Sequence, residues 1–194
     1  MVRSVTLLLL IVFLSGCDAI LGIRDVEPPD KQSVSSWQPP TTPEQVLENM
    51  EQAVLERNVD NYLRCLSDST EGEQPFRFVP DEETRNVFPQ VFAGWGLEEE
   101  KRVFREMENS VPTDSILQLV FAEDQERVEF TDSARIEVRY TLRVHHNRAE
   151  LGRRVTGRVR FALARNTQRN WVIYRWEDFR EEESMTWSEL KAAL

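Results

Sequence analysis

Apolar residues recur at intervals of three and four in the first part of the chain and at every second residue in the last third. In "TTPEQVLENMEQAVLERNVDNYLRCLSD", Val46, Leu47, Met50, Ala53 and Val54 fall on one face of a helix. Thr42 suits the N-cap, Pro43 the first helical position, and Gln45 completes a capping box. Asn58 is placed to cap a second, shorter helix carrying Tyr62, Leu63 and Leu66. Cys65 belongs to that helix and reads as a buried small hydrophobe rather than a reactive thiol. After "FRFVPDEE", the stretch "GWGLEEEKRVFREME" places Leu97, Val103, Phe104 and Met107 on the apolar stripe of a third helix. Its acidic first turn suits the positive end of the helix dipole.

From Ser115 onward the period changes to two. In "ARIEVRYTLRVHH", Ala134, Ile136, Val138, Tyr140, Leu142 and Val144 point one way, while Arg135, Glu137, Arg139, Thr141 and Arg143 point the other. "RVTGRVRFALA" alternates in the same manner, and "HHNRAELGR" supplies a hairpin turn. "WVIYRWEDF" is the last strand. Its Trp171, Ile173 and Trp176 require a slip in alternation, which predicts a bulge near Tyr174. A closing helix begins at Thr186, with Glu189 completing a second capping box. The pattern predicts an α+β fold: N-terminal helices packed on a curved antiparallel sheet of about four strands, ending in a short C-terminal helix.

The N-terminal run "LLLLIVFLSGCDA" is different. It is far shorter than the ~20 residues a membrane span needs, follows a single basic residue, Arg3, and ends in small residues, as a secretory signal does. Leu14-Ser15-Gly16-Cys17 resembles the bacterial lipobox. That resemblance implies cleavage between Gly16 and Cys17 and attachment of lipid to the Cys17 thiol. Two or three acyl chains hold a protein firmly at a membrane, where one binds marginally. The expected location is the bacterial cell envelope, facing the periplasm or exterior, with Asp18 slightly favouring the inner membrane by its likeness to enterobacterial retention signals.

Residues 17–41 are rich in proline and serine, lack periodicity and read as a flexible tether. Extended at about 3.1 Å per residue, it reaches ~70 Å. Trp37 and the short apolar "AILGI" stand out in it as points of contact with lipid or domain. The expected organisation is therefore a signal peptide over 1–16, a tether over 17–41 and a folded domain over 42–194.

The 194 residues carry a formal charge of −10 and two cysteines. Two cysteines are too few for a disulfide framework. The acidic balance excludes broad binding to nucleic acid, which requires a basic field.

The order of elements resembles the nuclear transport factor 2-like superfamily, the cystatin-like α+β cones. The resemblance rests on "PEQVLENMEQAVLERNVDNYLRCLSD", "FRFVPD", the middle helix beginning near Trp95 and "WVIYRWEDF". The Asn58-Val59-Asp60 helix break and the terminal Trp171, Ile173, Trp176, Asp178 pattern carry most of it, over Pro43 to Phe179. The superfamily includes isomerases, dehydratases, binding modules and assembly subunits, so fold alone assigns no activity.

A catalytic member would project ionisable groups into the pocket between sheet and helices. Tyr140, His146 and Asp178 are the candidates, though each has an ordinary structural role open to it. Tyr140 suits a core aromatic, His146 an exposed hairpin residue, and Asp178 a cap or arginine partner. His145 and His146 point to opposite faces and cannot easily share a metal. No metal site or cofactor is expected.

A second candidate site is the arginine-rich sheet face formed by Arg135, Arg139 and Arg143 with Arg154, Arg158 and Arg160. Guanidinium groups suit carboxylates and phosphates, but solvated arginines also protect a sheet from aggregation. The acidic runs at Glu98–Glu100 and Glu181–Glu183 read as helix starts or solvated faces. Three readings follow: a non-catalytic module binding an envelope protein or small apolar ligand, a pocket enzyme of the isomerase or dehydratase type, and a homodimeric scaffold subunit.

Overall fold

The computed structural model describes residues 35–69, 74–149, 151–181 and 183–194. The apolar N-terminal run, the cleavage site at Gly16 and Cys17, and Asp18 lie outside these residues. Ser36–Leu194 form one compact unit. Among the described residues, no helix is long and apolar enough to cross a membrane.

Helix α1 (Pro43–Leu55) starts where the capping signal places it, with the Thr42 hydroxyl accepting from the Gln45 backbone N–H at 3.4 Å. Only half of the expected box forms. The Gln45 amide donates to Gln38 Oε1 at 2.7 Å instead of returning to Thr42. The reason is that residues 36–41 lie against the domain. Gln38 exchanges hydrogen bonds of 3.2 and 2.7 Å with the Asn49 amide, and the Pro40 carbonyl accepts from Trp171 N–H at 2.9 Å. Arg64 covers the Trp37 ring, with its guanidinium carbon 4.0 Å from the centroid.

Arg57 ends α1 in the left-handed region at φ 55°, a conformation disfavoured for a residue with a Cβ. Its guanidinium donates to the carbonyls of Val111, Pro112 and Ser115 at 2.8–2.9 Å, fixing the turn to a distant loop. Asn58 caps α2 (Val59–Arg64) as expected, accepting from Asn61 N–H. Then follow β1 (Arg77–Val79), α3 (Glu82–Val87) and α4 (Leu97–Ser110). Next come β2 (Leu117–Phe121), β3 (Glu126–Glu129), β4 (Ser133–Val144), β5 (Arg154–Arg165), β6 (Trp171–Phe179) and α5 (Trp187–Ala193).

The sheet has six strands in the order β1-β6-β5-β4-β2, with β3 also paired to β4. The period-two pattern accounts for β2, β4, β5 and β6. The two additions are short: β1 runs parallel to β6, and β3 extends the exposed edge of β4. Strands of three and four residues are too brief to show alternation.

The irregularity near Tyr174 is real. Ala162 lies opposite Arg175 while Leu163 lies opposite Ile173, so Tyr174 is the extra residue. That bulge lets Trp171, Ile173 and Trp176 all reach the core.

Helices cover one face of the curved sheet, the inner face. Val46, Met50 and Val54 of α1, with Val103, Phe104 and Met107 of α4, join Ile136, Leu142, Phe161, Leu163 and Trp176 in a single core. Each of these side chains is removed from water, worth about 1.5–3 kcal/mol apiece for the larger ones. Cys65 is buried in this core and its thiol pKa is pushed up by burial, as expected of a structural cysteine.

Candidate functional site

Two of the three sequence candidates meet at the inner face. Tyr140 of β4 donates its hydroxyl hydrogen to Asp178 Oδ1 of β6 at 3.0 Å. β5 lies between them, and Gly157 on β5, directly opposite Tyr140, leaves the necessary space. A Cβ there would stand 2.8 Å from the Tyr140 hydroxyl oxygen and 2.8 Å from the Phe179 carbonyl oxygen.

Both polar groups are then used by the start of α5. Trp187 N–H donates to the Tyr140 hydroxyl at 2.7 Å, and Ser188 donates to Asp178 Oδ2 through its N–H at 2.8 Å and its hydroxyl at 2.5 Å. A helix start leaves its first N–H groups without intrahelical partners, and here the sheet supplies them. Thr186 caps α5 and forms the expected box with Glu189, with hydrogen bonds of 2.9 and 3.2 Å.

A second carboxylate, Asp81, stands beside this network. It accepts from the Thr84 hydroxyl and the Thr186 hydroxyl, each at 2.7 Å. Burial pushes Asp178 up to about 6, against hydrogen bonds from Ser188 and Tyr140 that favour the ionised form. For Asp81 burial also acts upward, but the bonds from Thr84 and Thr186 and the charge of Arg180 outweigh it and hold its carboxyl below the usual range. Burial and the neighbouring Asp178 charge raise Tyr140 well above an ordinary phenol.

One turn further along α5, Lys191 enters the domain completely, with its residue 1% exposed. Its ammonium pairs with Glu100 Oε1 of α4. Glu100 also accepts from the Tyr62 hydroxyl at 2.8 Å and the Trp95 indole N–H at 2.7 Å. The Lys191 nitrogen lies 3.6 Å from the Phe78 ring centroid and 4.1 Å from that of Trp176, with Trp95 and Trp187 at 5.6 and 5.8 Å. Burial lowers the lysine pKa while Glu100 opposes that shift.

The acidic run at 98–100 is therefore not uniformly solvated. Glu100 is 1% exposed and serves as the counter-ion of a buried cation. Its inward position follows from helical spacing, three residues before Val103 and four before Phe104 on the same stripe.

His146 is buried rather than exposed. The turn folds back over it, so that its ring contacts the Gly152 carbonyl at 3.3 Å and accepts from Arg148 N–H at 3.3 Å. These partners belong to the β4–β5 loop, whereas Tyr140 and Asp178 are partnered with α5. No cluster of histidine, cysteine and carboxylates among the described residues is arranged to hold a metal ion. The inner face is filled by Leu142, Phe161, Trp171 and Trp176, each fully buried, and closed by Trp187.

The outer face carries the arginines. Arg158 and Arg160 both pair with Glu137, and Arg160 also reaches Glu177 at 3.1 Å. Arg158 reaches Glu181 at 3.2 Å, and Arg139 pairs with Asp124. Arg143 donates to Gln118 Oε1 at 3.3 Å. Arg135 and Arg154 are exposed and have no carboxylate partner among the described residues. Beside Arg135 and Arg160, the side chains of Val128, Phe130, Ala162 and Tyr174 line a groove of about 460 Å³. Phe130 is 68% exposed.

No family model matches the chain, and no curated protein matches it. Solved structures do. A Novosphingobium aromaticivorans protein, named as a proposed aromatic ring hydroxylase, aligns at a TM-score of 0.54 with 15% identity, covering 76% of this chain and 92% of its own. A conserved protein from Planctomyces limnophilus aligns at 0.53 with 13% identity, over 70% and 91%. A nuclear transport factor 2-like protein from Cytophaga hutchinsonii aligns at 0.50 with 12% identity, over 71% and 94%. At these identities the likeness is one of fold: helices packed on an open curved sheet, as in nuclear transport factor 2-like proteins.

Proposed function

We propose that this protein is a non-catalytic binding module, lipid-anchored in the bacterial cell envelope through Cys17, which docks an acidic protein partner on its outer sheet face. The observation that carries the reading is the contrast between the two faces. The Tyr140–Asp178 pair has its oxygens committed to the start of α5. The outer face offers Arg135 beside exposed Phe130 and Val128, and Arg154 at the other end of the sheet opposite Arg143, neither with a carboxylate partner among the described residues. Aromatic residues and arginine are the types enriched at protein interfaces.

Charge selects the partner. Among the described strand residues, outward-facing Arg77, Arg135, Arg139, Arg143, Arg154, Arg158, Arg160 and Arg175 outnumber outward-facing Glu126, Glu137 and Glu177, even with the loop partners Asp124 and Glu181 added. This basic face belongs to a protein of formal charge −10, so it stands out in the overall field. A second copy docked face to face would set arginine against arginine, and like-charge juxtaposition costs several kcal/mol. An acidic heterologous partner avoids that cost.

The test is a crosslinked pull-down of the anchored protein from detergent-solubilised membranes, comparing the native chain with Arg135→Glu/Arg154→Glu. Neither residue has an ion pair to lose among the described residues, so the variant should fold normally while recovery of the crosslinked partner falls at least about tenfold. Equal recovery from both would contradict the reading. For the anchor, Cys17→Ser should abolish both lipid labelling and signal removal, and unchanged processing would exclude it.

A further inference from the structure

Building on that docking reading, we infer that the outer-face groove over Ala162 seats one apolar side chain of the partner. That side chain belongs to an extended acidic segment, with a carboxylate on either side of it.

The groove follows from register. Val128, Arg135, Ala162 and Arg175 are successive cross-strand partners on β3, β4, β5 and β6. Directly opposed residues share a face, so this row stands on the outer face with one small side chain between two arginines. Neighbouring strands lie about 4.8 Å apart, which sets the two arginine positions roughly 10 Å apart across the pit. The bulge in β6 supplies a wall. A bulge re-aims side chains, and here two successive residues, Tyr174 and Arg175, both line the groove while Ile173 and Trp176 stay in the core. Val128 and Phe130, 43% and 68% exposed, also line it.

Carboxylate acceptors are scarce around the pit. Glu177 serves both Arg160 and Arg175, and Glu137 serves both Arg158 and Arg160. Arg135 is exposed and has no carboxylate partner among the described residues. Each guanidinium carries five N–H donors and no acceptor, so sharing leaves donors for an incoming carboxylate. A lone carboxylate would meet solvated arginines and gain little. An apolar side chain seated on Ala162 beside Phe130 and Tyr174 excludes water, and the flanking ion pairs strengthen as water leaves. An extended chain turns every second side chain to one face, about 7 Å apart. Acidic residues two positions before and after the apolar one therefore fall within reach of Arg135 and Arg175.

The probe is a fluorescein-labelled Glu-Ser-Phe-Ser-Glu peptide, titrated with the detergent-solubilised full chain and read by fluorescence anisotropy. Ala162→Leu fills the pit and should weaken binding about tenfold, whereas Ala162→Ser keeps the floor small and should stay within about twofold of native. On the native chain, the reordered peptide Phe-Glu-Glu-Ser-Ser should bind at least about fivefold more weakly, a comparison that needs no variant to fold. Absence of binding to the first peptide, equal binding of the two peptides, or equal binding by Ala162→Leu would overturn the inference. The crosslinked pull-down separates it from the docking reading. Full partner recovery with Ala162→Leu, alongside loss with Arg135→Glu/Arg154→Glu, would remove the groove and leave docking on this face intact. Equal recovery from all chains would remove both.

Discussion

Lys191 and Arg135 carry the same charge on opposite sides of one sheet. Lys191 is sealed from water, with a carboxylate at bonding distance and aromatic rings beside its nitrogen. Arg135 projects into solvent with no carboxylate partner among the described residues. The inner cation holds the last helix in place, and its removal is felt by the whole domain. The outer one contributes little to folding and is free to meet another molecule. Position relative to the helices, rather than residue type, separates structural charge from available charge.

The largest effects should come from breaking the inner pair. Glu100→Ala strands a buried ammonium and removes the acceptor of Tyr62 and Trp95, so it should cost about 3–5 kcal/mol of stability by urea unfolding. Lys191→Met together with Glu100→Gln replaces the ion pair and should recover most of that loss. If Glu100→Ala costs less than about 1 kcal/mol, the pair is solvated and the inner-versus-outer contrast fails.

Next in size is Tyr140→Phe. It leaves Trp187 N–H and one oxygen of Asp178 short of a partner, for an expected loss of about 1–3 kcal/mol. Gly157→Ala should act through the same bonds, since its Cβ would stand 2.8 Å from the Tyr140 oxygen. The two changes should therefore be less than additive in the double variant.

The third effect is a dependence on pH. The folded pKa of Asp178 is raised to about 6, above its unfolded value. The folded state then binds the proton more tightly than the unfolded one. This residue's contribution is fully present below about pH 4 and is lost as pH rises through about 6. Asp178→Asn should flatten that slope, by up to about 3 kcal/mol across the window. Asp81, lowered, acts in the opposite direction: its contribution is present above the ordinary carboxylate range and fades on acidification. An Asp178→Asn variant whose stability profile matches the native chain from pH 4 to 7 would show that the carboxyl is not shielded as described.

The smallest effects belong outside. Arg160→Ala gives up half-exposed bonds to Glu137 and Glu177, and exposed pairs are worth about 0.2–1 kcal/mol. Arg135→Glu/Arg154→Glu should move stability by no more than about 0.5 kcal/mol.

Much of this architecture was legible from the chain. The Thr186–Glu189 box, the Asn58 cap and the Tyr174 bulge all follow from local spacing, because each is specified by residues within one turn or one strand. Arg135, Arg139 and Arg143 could be assigned to the outer face from parity alone. The Lys191 ion pair was not legible. Its surroundings come from Tyr62, Phe78, Trp95, Glu100 and Trp176, on elements far apart in sequence, and Lys191 itself resembles any cation in the last turn of a helix. Glu100 was hidden within a run of three glutamates, although its helical register with Val103 and Phe104 was a usable signal. His146 was misplaced because alternation says which side a residue faces, not what later folds over it.

The most direct test of the contrast between the faces is site-specific photocrosslinking in intact cells, with benzoylphenylalanine placed at Phe130 on the outer groove or at Val87 on exposed helix α3. Both positions are largely exposed, at 68% and 63%, so solvent access alone does not favour either. The expected result is a discrete crosslinked partner from position 130 that disappears in the Arg135→Glu/Arg154→Glu background, with none from position 87. Crosslinks from position 87 alone, or a partner at position 130 indifferent to the arginines, would contradict the account.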